Sequence, residues 1–262
     1  MPTYQTVRAV LQSPSHPLHE AQLKCDTASR HLRSLKMSVT KYKNNPAPLF
    51  KTASQDGRTT ECMRWPRPAP ESWGTMLSDF AVNLRSALDF IAWQLAVKHY
   101  RDSAQAGSPG RYTKFPICDS ADDYAKQSLR SLRDVLPGAL PLIERLQPYN
   151  QNTLPETRLL SLLRELANTT KHQSIIMLRR NVRLMASPGT SVLLRIPLDG
   201  TLPVVRGAEV TSGPLTSFRP PASLNVTLEI PSLSAAPFSV AVLDDIYRFV
   251  GRDMLSEFVG LF

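Results

Sequence analysis

The chain has 262 residues, 42% hydrophobic and 20% charged, which is enough to bury a sizeable core and too apolar for a wholly disordered chain. It carries 31 Lys and Arg against 22 Asp and Glu, a formal net charge of +9 that favours anionic partners and is silent about the fold. No uninterrupted apolar run approaches the ~20 residues of a membrane-spanning helix.

The opening segment 1–17 lacks the apolar stretch of a secretory signal. Cys25, Cys62 and Cys118 are far apart and odd in number, so they form neither a disulfide framework nor a paired CxxC zinc site. A reducing cytoplasm without membrane association is the expected setting.

From Leu18 to about Lys43, Ala21, Ala28, Leu32, Leu35 and Val39 recur at helical spacing between Pro17 and Pro46. Gln55-Asp56-Gly57, flanked by two short segments, predicts a hairpin at about 48–65. Pro66, Pro68 and Pro70 make a stiff spacer. A long helix follows from Glu71 to about Tyr100, with Trp73, Leu77, Phe80, Leu84, Leu88, Ile91 and Leu95 on one stripe.

After a Gly- and Pro-rich loop comes an extended Phe115-Pro116-Ile117. Ser120 is placed to cap a short helix ending near Leu132, and Pro137–Leu146 reads as another, stopped at Gln147-Pro148-Tyr149. Pro155 to Gln173 reads as a helix with Leu159, Leu160, Leu162, Leu163 and Leu166 on its buried side.

Beyond His172 the texture changes. Segments 175–185, 191–198, 202–210 and 224–230 are short, alternating or β-branched, and bounded by Pro, Gly and Ser, as in an antiparallel sheet with one wet face. An amphipathic helix over about 240–262 closes the chain and packs on that sheet or returns to the bundle. The expected class is therefore α+β. A helical bundle with a hairpin spans 1–173, and antiparallel strands with a C-terminal helix span 174–262, the two packed as one unit.

Two polar stripes stand out. Asp79, Asn83, Arg85 and Asp89 interrupt the apolar pattern of the long helix, and Arg85 and Asp89, four residues apart, can pair. Further on, Arg164, Asn168 and His172 fall at i, i+4 and i+8, with Glu165 and Lys171 alongside. Arg and Lys suit a phosphate, and His moves a proton near neutral pH, so this set offers what attack by an RNA 2′-hydroxyl requires.

The same residues equally suit a helix C-terminus, whose dipole favours cations. His16, His19 and Glu20 sit in a Ser- and Pro-rich loop better suited to solvation than to a metal. Dinucleotide, P-loop, metalloprotease and nucleophile-elbow motifs are absent, and no cofactor or metal is implied.

The ordered segments Asn83-Leu84-Arg85-Ser86-Ala87-Leu88-Asp89, Phe115-Pro116-Ile117, Gln147-Pro148-Tyr149 and Lys171-His172 resemble a group of uncharacterised bacterial proteins common in actinobacteria. The resemblance spans roughly 65–175 and implies a shared fold without an established activity. Phe90 stands where that group usually has His.

More distantly, the bundle resembles the HEPN superfamily, which includes RNA-cleaving toxins and nucleotide-binding modules. Active HEPN ribonucleases have four to six residues between Arg and His, whereas seven separate Arg164 from His172.

Three functions follow as expectations. The first is a non-catalytic binding module for RNA, a nucleotide or a protein partner, using Asn83, Arg85, Asp89 and Asn168. The second is a metal-independent ribonuclease acting through His172, with Arg164 and Lys171 on phosphate. The third is a structural subunit of an assembly. HEPN-type sites commonly form between two copies, so a homodimer is an expected partner state.

Overall fold

The computed structural model describes residues 4–44, 50–55, 58–63, 70–103, 107–172, 177–187, 190–196, 222–229 and 238–262, with side chains for 5–44, 70–103, 107–169 and 239–262. The backbone forms two compact units. One comprises Met1–Ser34, Thr75–Ile175 and Ala241–Phe262; the other comprises Leu35–Gly74 and Ile176–Val240.

The first unit is helical. Helices α1 (Tyr4–Leu11) and α2 (His19–Asn44) bury Val7, Leu11, Ala21, Cys25, Ala28 and Leu32. The steps of four, three and four along α2 keep those small residues on one side. Helix α3 (Ser72–Asp102) is the central rod, with Leu77, Phe80, Leu84, Leu88, Ile91 and Leu95 all at 1% exposure or less. Ala81, Ala87, Ala92 and Ala96 are equally enclosed, so neighbouring backbones approach closely there.

Helix α4 (Ala121–Ser131) starts where Ser120 accepts the Asp123 N–H at 3.2 Å, and Asp122 and Asp123 face the positive end of its dipole. A short 3₁₀ turn at Pro137–Ala139 leads into α5 (Leu140–Arg145), and another at Pro155–Thr157 leads into α6 (Arg158–His172). In each, the leading proline occupies a position that needs no N–H partner.

The C-terminal segment is one continuous rod of α7 (Ala241–Arg248), a π-helical stretch (Phe249–Met254) and α8 (Leu255–Val259). The wider π turns hold Phe249, Val250, Met254, Leu255 and Phe258 on the buried side despite their uneven spacing. Gly251 permits the close fit. A Cβ there would lie 3.1 Å from the Tyr247 ring and 3.5 Å from the Cys25 Cβ. Arg145 and Glu257 form an ion pair between α5 and α8, and Phe115 meets Phe258 edge to face at 6.2 Å.

The second unit holds the end of α2, where Leu35 and Val39 are buried and Ser38 accepts the Trp73 indole N–H at 2.7 Å. Tyr42 packs edge-on against that same indole at 5.2 Å. Strands β1 (Phe50–Gln55) and β2 (Arg58–Met63) pair antiparallel in the predicted hairpin, whose Asp56-Gly57 turn lies outside the described residues.

Strands β3 (Met177–Ser187), β4 (Thr190–Ile196), β5 (Ala222–Glu229) and β6 (Phe238–Ser239) pair antiparallel in the order β4-β3-β5-β6. Val182 lies between Leu194 and Leu224. The strand predicted at 202–210 is outside the described residues.

The expected α+β class, a helical bundle with a hairpin followed by an antiparallel sheet and a C-terminal helix, is corrected: this is a helical protein. Of the residues whose side chains are described, 75% are helical, and the core they form comes from helices and their connections, with no sheet contributing to it. The physical reason is that the helices cover one another's apolar faces. The C-terminal rod carries its large residues into the helical unit, and α6 meets α7 there.

Alternation after His172 specifies extended backbone, and the strands group in the second unit rather than with the helices. Ala241–Phe262 groups with the helices, and Leu35–Gly74 groups with the strands.

Among the described residues, no helix is long and apolar enough to cross a membrane.

Candidate functional site

Two helices converge on the extended segment 115–119. Phe115, Pro116, Ile117 and Cys118 are all buried, so their peptide groups need partners that water cannot supply. From α3, Asp89 Oδ1 accepts the Phe115 N–H at 3.0 Å, and Arg85 Nη2 donates to the Phe115 carbonyl at 2.5 Å. The two side chains also pair with each other at 3.0 Å. One residue is thus held at both its backbone donor and its backbone acceptor by an i, i+4 ion pair.

From α6, Arg164 Nη1 donates to the Ile117 carbonyl at 3.0 Å, and its Nη2 meets Asp119 at 2.6 Å and Glu165 at 3.1 Å. Asp119 in turn accepts the Ser161 hydroxyl at 2.5 Å.

Gln147 completes the clamp from a position with no exposed surface. Its Oε1 accepts the Cys118 N–H at 3.0 Å. Its Nε2 donates to the carbonyls of Pro116 at 3.1 Å and Ile143 at 2.9 Å. The Gln-Pro-Tyr turn therefore acts through its glutamine, which bridges two chain segments.

Electrostatics follow this geometry. Burial lowers the Arg85 pKa, Asp89 opposes that, and the positive charge of Arg164 lowers it further. Arg85 Nη1 is buried and has no hydrogen-bond partner among the described residues. Burial alone would lower Arg164, but Asp119 and Glu165 outweigh it and hold the guanidinium above its ordinary basicity. Burial also tends to raise Asp119, yet the Ser161 hydroxyl and Arg164 prevail and hold it below the ordinary carboxylate value. Cys118 is raised by burial first and by Asp123 next.

The sequence-predicted residues divide accordingly. Arg85, Asp89 and Arg164 converge on one segment. Asn83 does not join them, because it donates to the Asp79 carbonyl of its own helix at 2.7 Å. Two residues from Arg85 on a helix, it points about 200° away. Asp79 instead approaches His31 of α2 at 3.7 Å. Asn168 is exposed one turn beyond Arg164. Lys171 and His172 lie in the last turn of α6, and their side chains are outside the described set. His16 and His19 turn to backbone: His16 Nδ1 accepts the Leu18 N–H at 3.1 Å, and His19 Nδ1 donates to the Leu11 carbonyl at 3.0 Å.

A second cluster was not singled out by sequence reasoning. Tyr112, 45% exposed, lies under the Arg130 guanidinium at 4.0 Å from the ring centroid, with that of Arg111 at 4.8 Å. Arg111 also donates to the Tyr112 hydroxyl at 2.8 Å. Lys126 and Arg133 flank Arg130 on α4 and just beyond it, and both are exposed. The loop is anchored where Asp134 accepts the Gly110 N–H at 2.8 Å, and that same carboxylate accepts the Tyr100 hydroxyl at 3.2 Å. The available signal was Lys126, Arg130 and Arg133 at helical spacing. The pairing with Arg111-Tyr112 is a tertiary contact, invisible to local periodicity.

No family model, curated protein or solved structure matches the chain.

Proposed function

We propose that the chain is a non-catalytic binding module for an anionic ligand, RNA or a nucleotide. The observation that carries the non-catalytic part of this reading is the engagement of the polar stripes. The anionic-ligand part rests on the formal charge of +9 and the exposed cations outside the clamp. Arg164 is held by two carboxylates and a carbonyl, and Arg85 by Asp89 and a carbonyl. A guanidinium so neutralised is a poor phosphate ligand, because the incoming anion must displace carboxylates already in place.

The formal charge of +9 still draws anions to the surface, and cations outside the clamp are exposed to meet them. The test is fluorescence anisotropy of labelled oligo(U) RNA and of inorganic polyphosphate over a NaCl series. The reading expects binding that weakens linearly on a log–log salt plot, with the RNA intact. Absence of binding at low salt would overturn it. So would RNA cleavage that His172→Ala abolishes, because that outcome makes the chain a ribonuclease.

A further inference from the structure

We infer that Arg111, Tyr112 and Arg130 form a contact surface for single-stranded nucleic acid, with the tyrosine–guanidinium stack receiving a base and the surrounding cations receiving the backbone. The inference rests on the proposed anion-binding function and names its ligand class and its place.

Three observations converge on it. First, Tyr112 is left 45% exposed although large aromatics elsewhere in the helical unit, such as Phe80, Phe115 and Phe258, are fully enclosed. Second, the ring is held by its neighbours. Arg130 lies over it at 4.0 Å, and Arg111 both approaches the ring at 4.8 Å and donates to its hydroxyl. A ring already packed against two guanidinium groups loses less conformational freedom when a base settles on it than a free side chain would, and guanidinium planes stack on bases as aromatics do. Third, the surrounding charge is segregated. Lys114, Lys126 and Arg133 are exposed and lie within four residues of Tyr112 or Arg130 in the chain, while the acidic residues of α4, Asp122 and Asp123, occupy the helix end opposite Arg130. Asp134, the nearby carboxylate, is already engaged by the Gly110 amide and the Tyr100 hydroxyl.

Aromatic stacking beside cations, without a groove shaped to a duplex, is the chemistry of single-strand recognition. A duplex keeps its bases stacked on one another and offers only phosphates here. A protein partner would use the same arginines and tyrosine, but it would not respond to the presence of bases.

The experiment compares anisotropy titrations of the full chain with oligo(U), a length-matched abasic oligonucleotide and inorganic polyphosphate. Tyr112→Ala, Tyr112→Phe and Arg130→Ala are measured beside the parent, and their circular dichroism confirms that each is folded. The expected result is tighter binding of oligo(U) than of the abasic strand. Tyr112→Ala should weaken oligo(U) roughly five- to a hundredfold, the range of a lost base stack, and leave polyphosphate unchanged. Tyr112→Phe, which keeps the ring but loses the hydroxyl that Arg111 holds, should weaken oligo(U) less than Tyr112→Ala does.

Equal affinity for oligo(U) and the abasic strand, unmoved by Tyr112→Ala, would overturn the stacking surface while leaving anion binding standing. Failure of all three probes to bind at low salt would remove both readings and leave this face to a protein partner.

Discussion

Asp89 of α3 accepts the backbone N–H of Phe115, 26 residues away, at 3.0 Å. A carboxylate that a helical sequence presents as surface decoration thus serves as the partner of a buried amide. With Arg85 on the carbonyl of the same residue, a local ion pair becomes a tertiary clasp. The clasp, with Arg164 and Gln147, gives partners to the Phe115 and Cys118 amides and to the Phe115, Pro116 and Ile117 carbonyls of a buried extended segment.

Removal of the Asp89 carboxylate is therefore more costly than loss of an ordinary surface pair. Asp89→Ala leaves the Phe115 N–H without its acceptor and Arg85 without its counter-charge. The expected loss is about 1–3 kcal/mol, the range for a stranded buried group, against less than about 1 kcal/mol for an exposed ion pair. Urea denaturation of both proteins measures it, and a difference below about 0.5 kcal/mol would show that the clasp is dispensable.

Acid should weaken the α6 end of the clamp in a definite direction. Asp119 is held below the ordinary carboxylate value of 3.8 in the folded chain by Ser161 and Arg164, against the opposing effect of burial. A group whose pKa is depressed by folding contributes stability above its unfolded pKa and loses that contribution as pH falls through the folded value. Thermal melting of the parent and of Asp119→Asn between about pH 2 and 7 should show a gap that is full at neutral pH and closes below about pH 4. A gap that widens on acidification would contradict the assignment.

Thiol reactivity reports on the same core. Cys25 and Cys118 are free, buried, and pushed up in pKa by burial first, with Asp26 adding at Cys25 and Asp123 at Cys118. The reactive species is the thiolate, so neither should react rapidly with a disulfide reagent in the native state. In a Cys62→Ser background the native chain should show no fast labelling, and both thiols should react in denaturant. Rapid native labelling of either would mean that the helical core opens far more readily than its packing implies.

Much of the helical framework was legible in the sequence. The α3 stripe recurs at 3.6-residue spacing, the Ser120 cap combines a hydroxyl with acidic first-turn residues, and Pro155 opens the turn that leads into α6. These are local properties, and local periodicity reports them faithfully.

The uses of Arg85 and Arg164 were not legible. Each reaches a carbonyl on a segment 30 or 47 residues away, and one-dimensional spacing cannot distinguish a polar face turned to solvent from one turned to buried backbone. Asn83 was separable in principle, because i and i+2 lie on opposite sides of a helix. The fold class was over-read for a related reason: alternation identifies a strand but does not say which compact unit it joins. The π turns of the C-terminal rod, which carry its uneven apolar pattern, have no sequence signal as regular as a heptad.

Amide hydrogen exchange at Phe115 and Cys118 tests the clamp most directly, because each donates to a single named side-chain oxygen. Both amides should exchange as slowly as the central turns of α3 in the parent. Asp89→Ala should accelerate Phe115 selectively, and Gln147→Ala should do the same for Cys118. Exchange at both sites as fast as at the exposed loop residue Arg111, in the parent itself, would contradict the claim that these polar residues exist to hold segment 115–119.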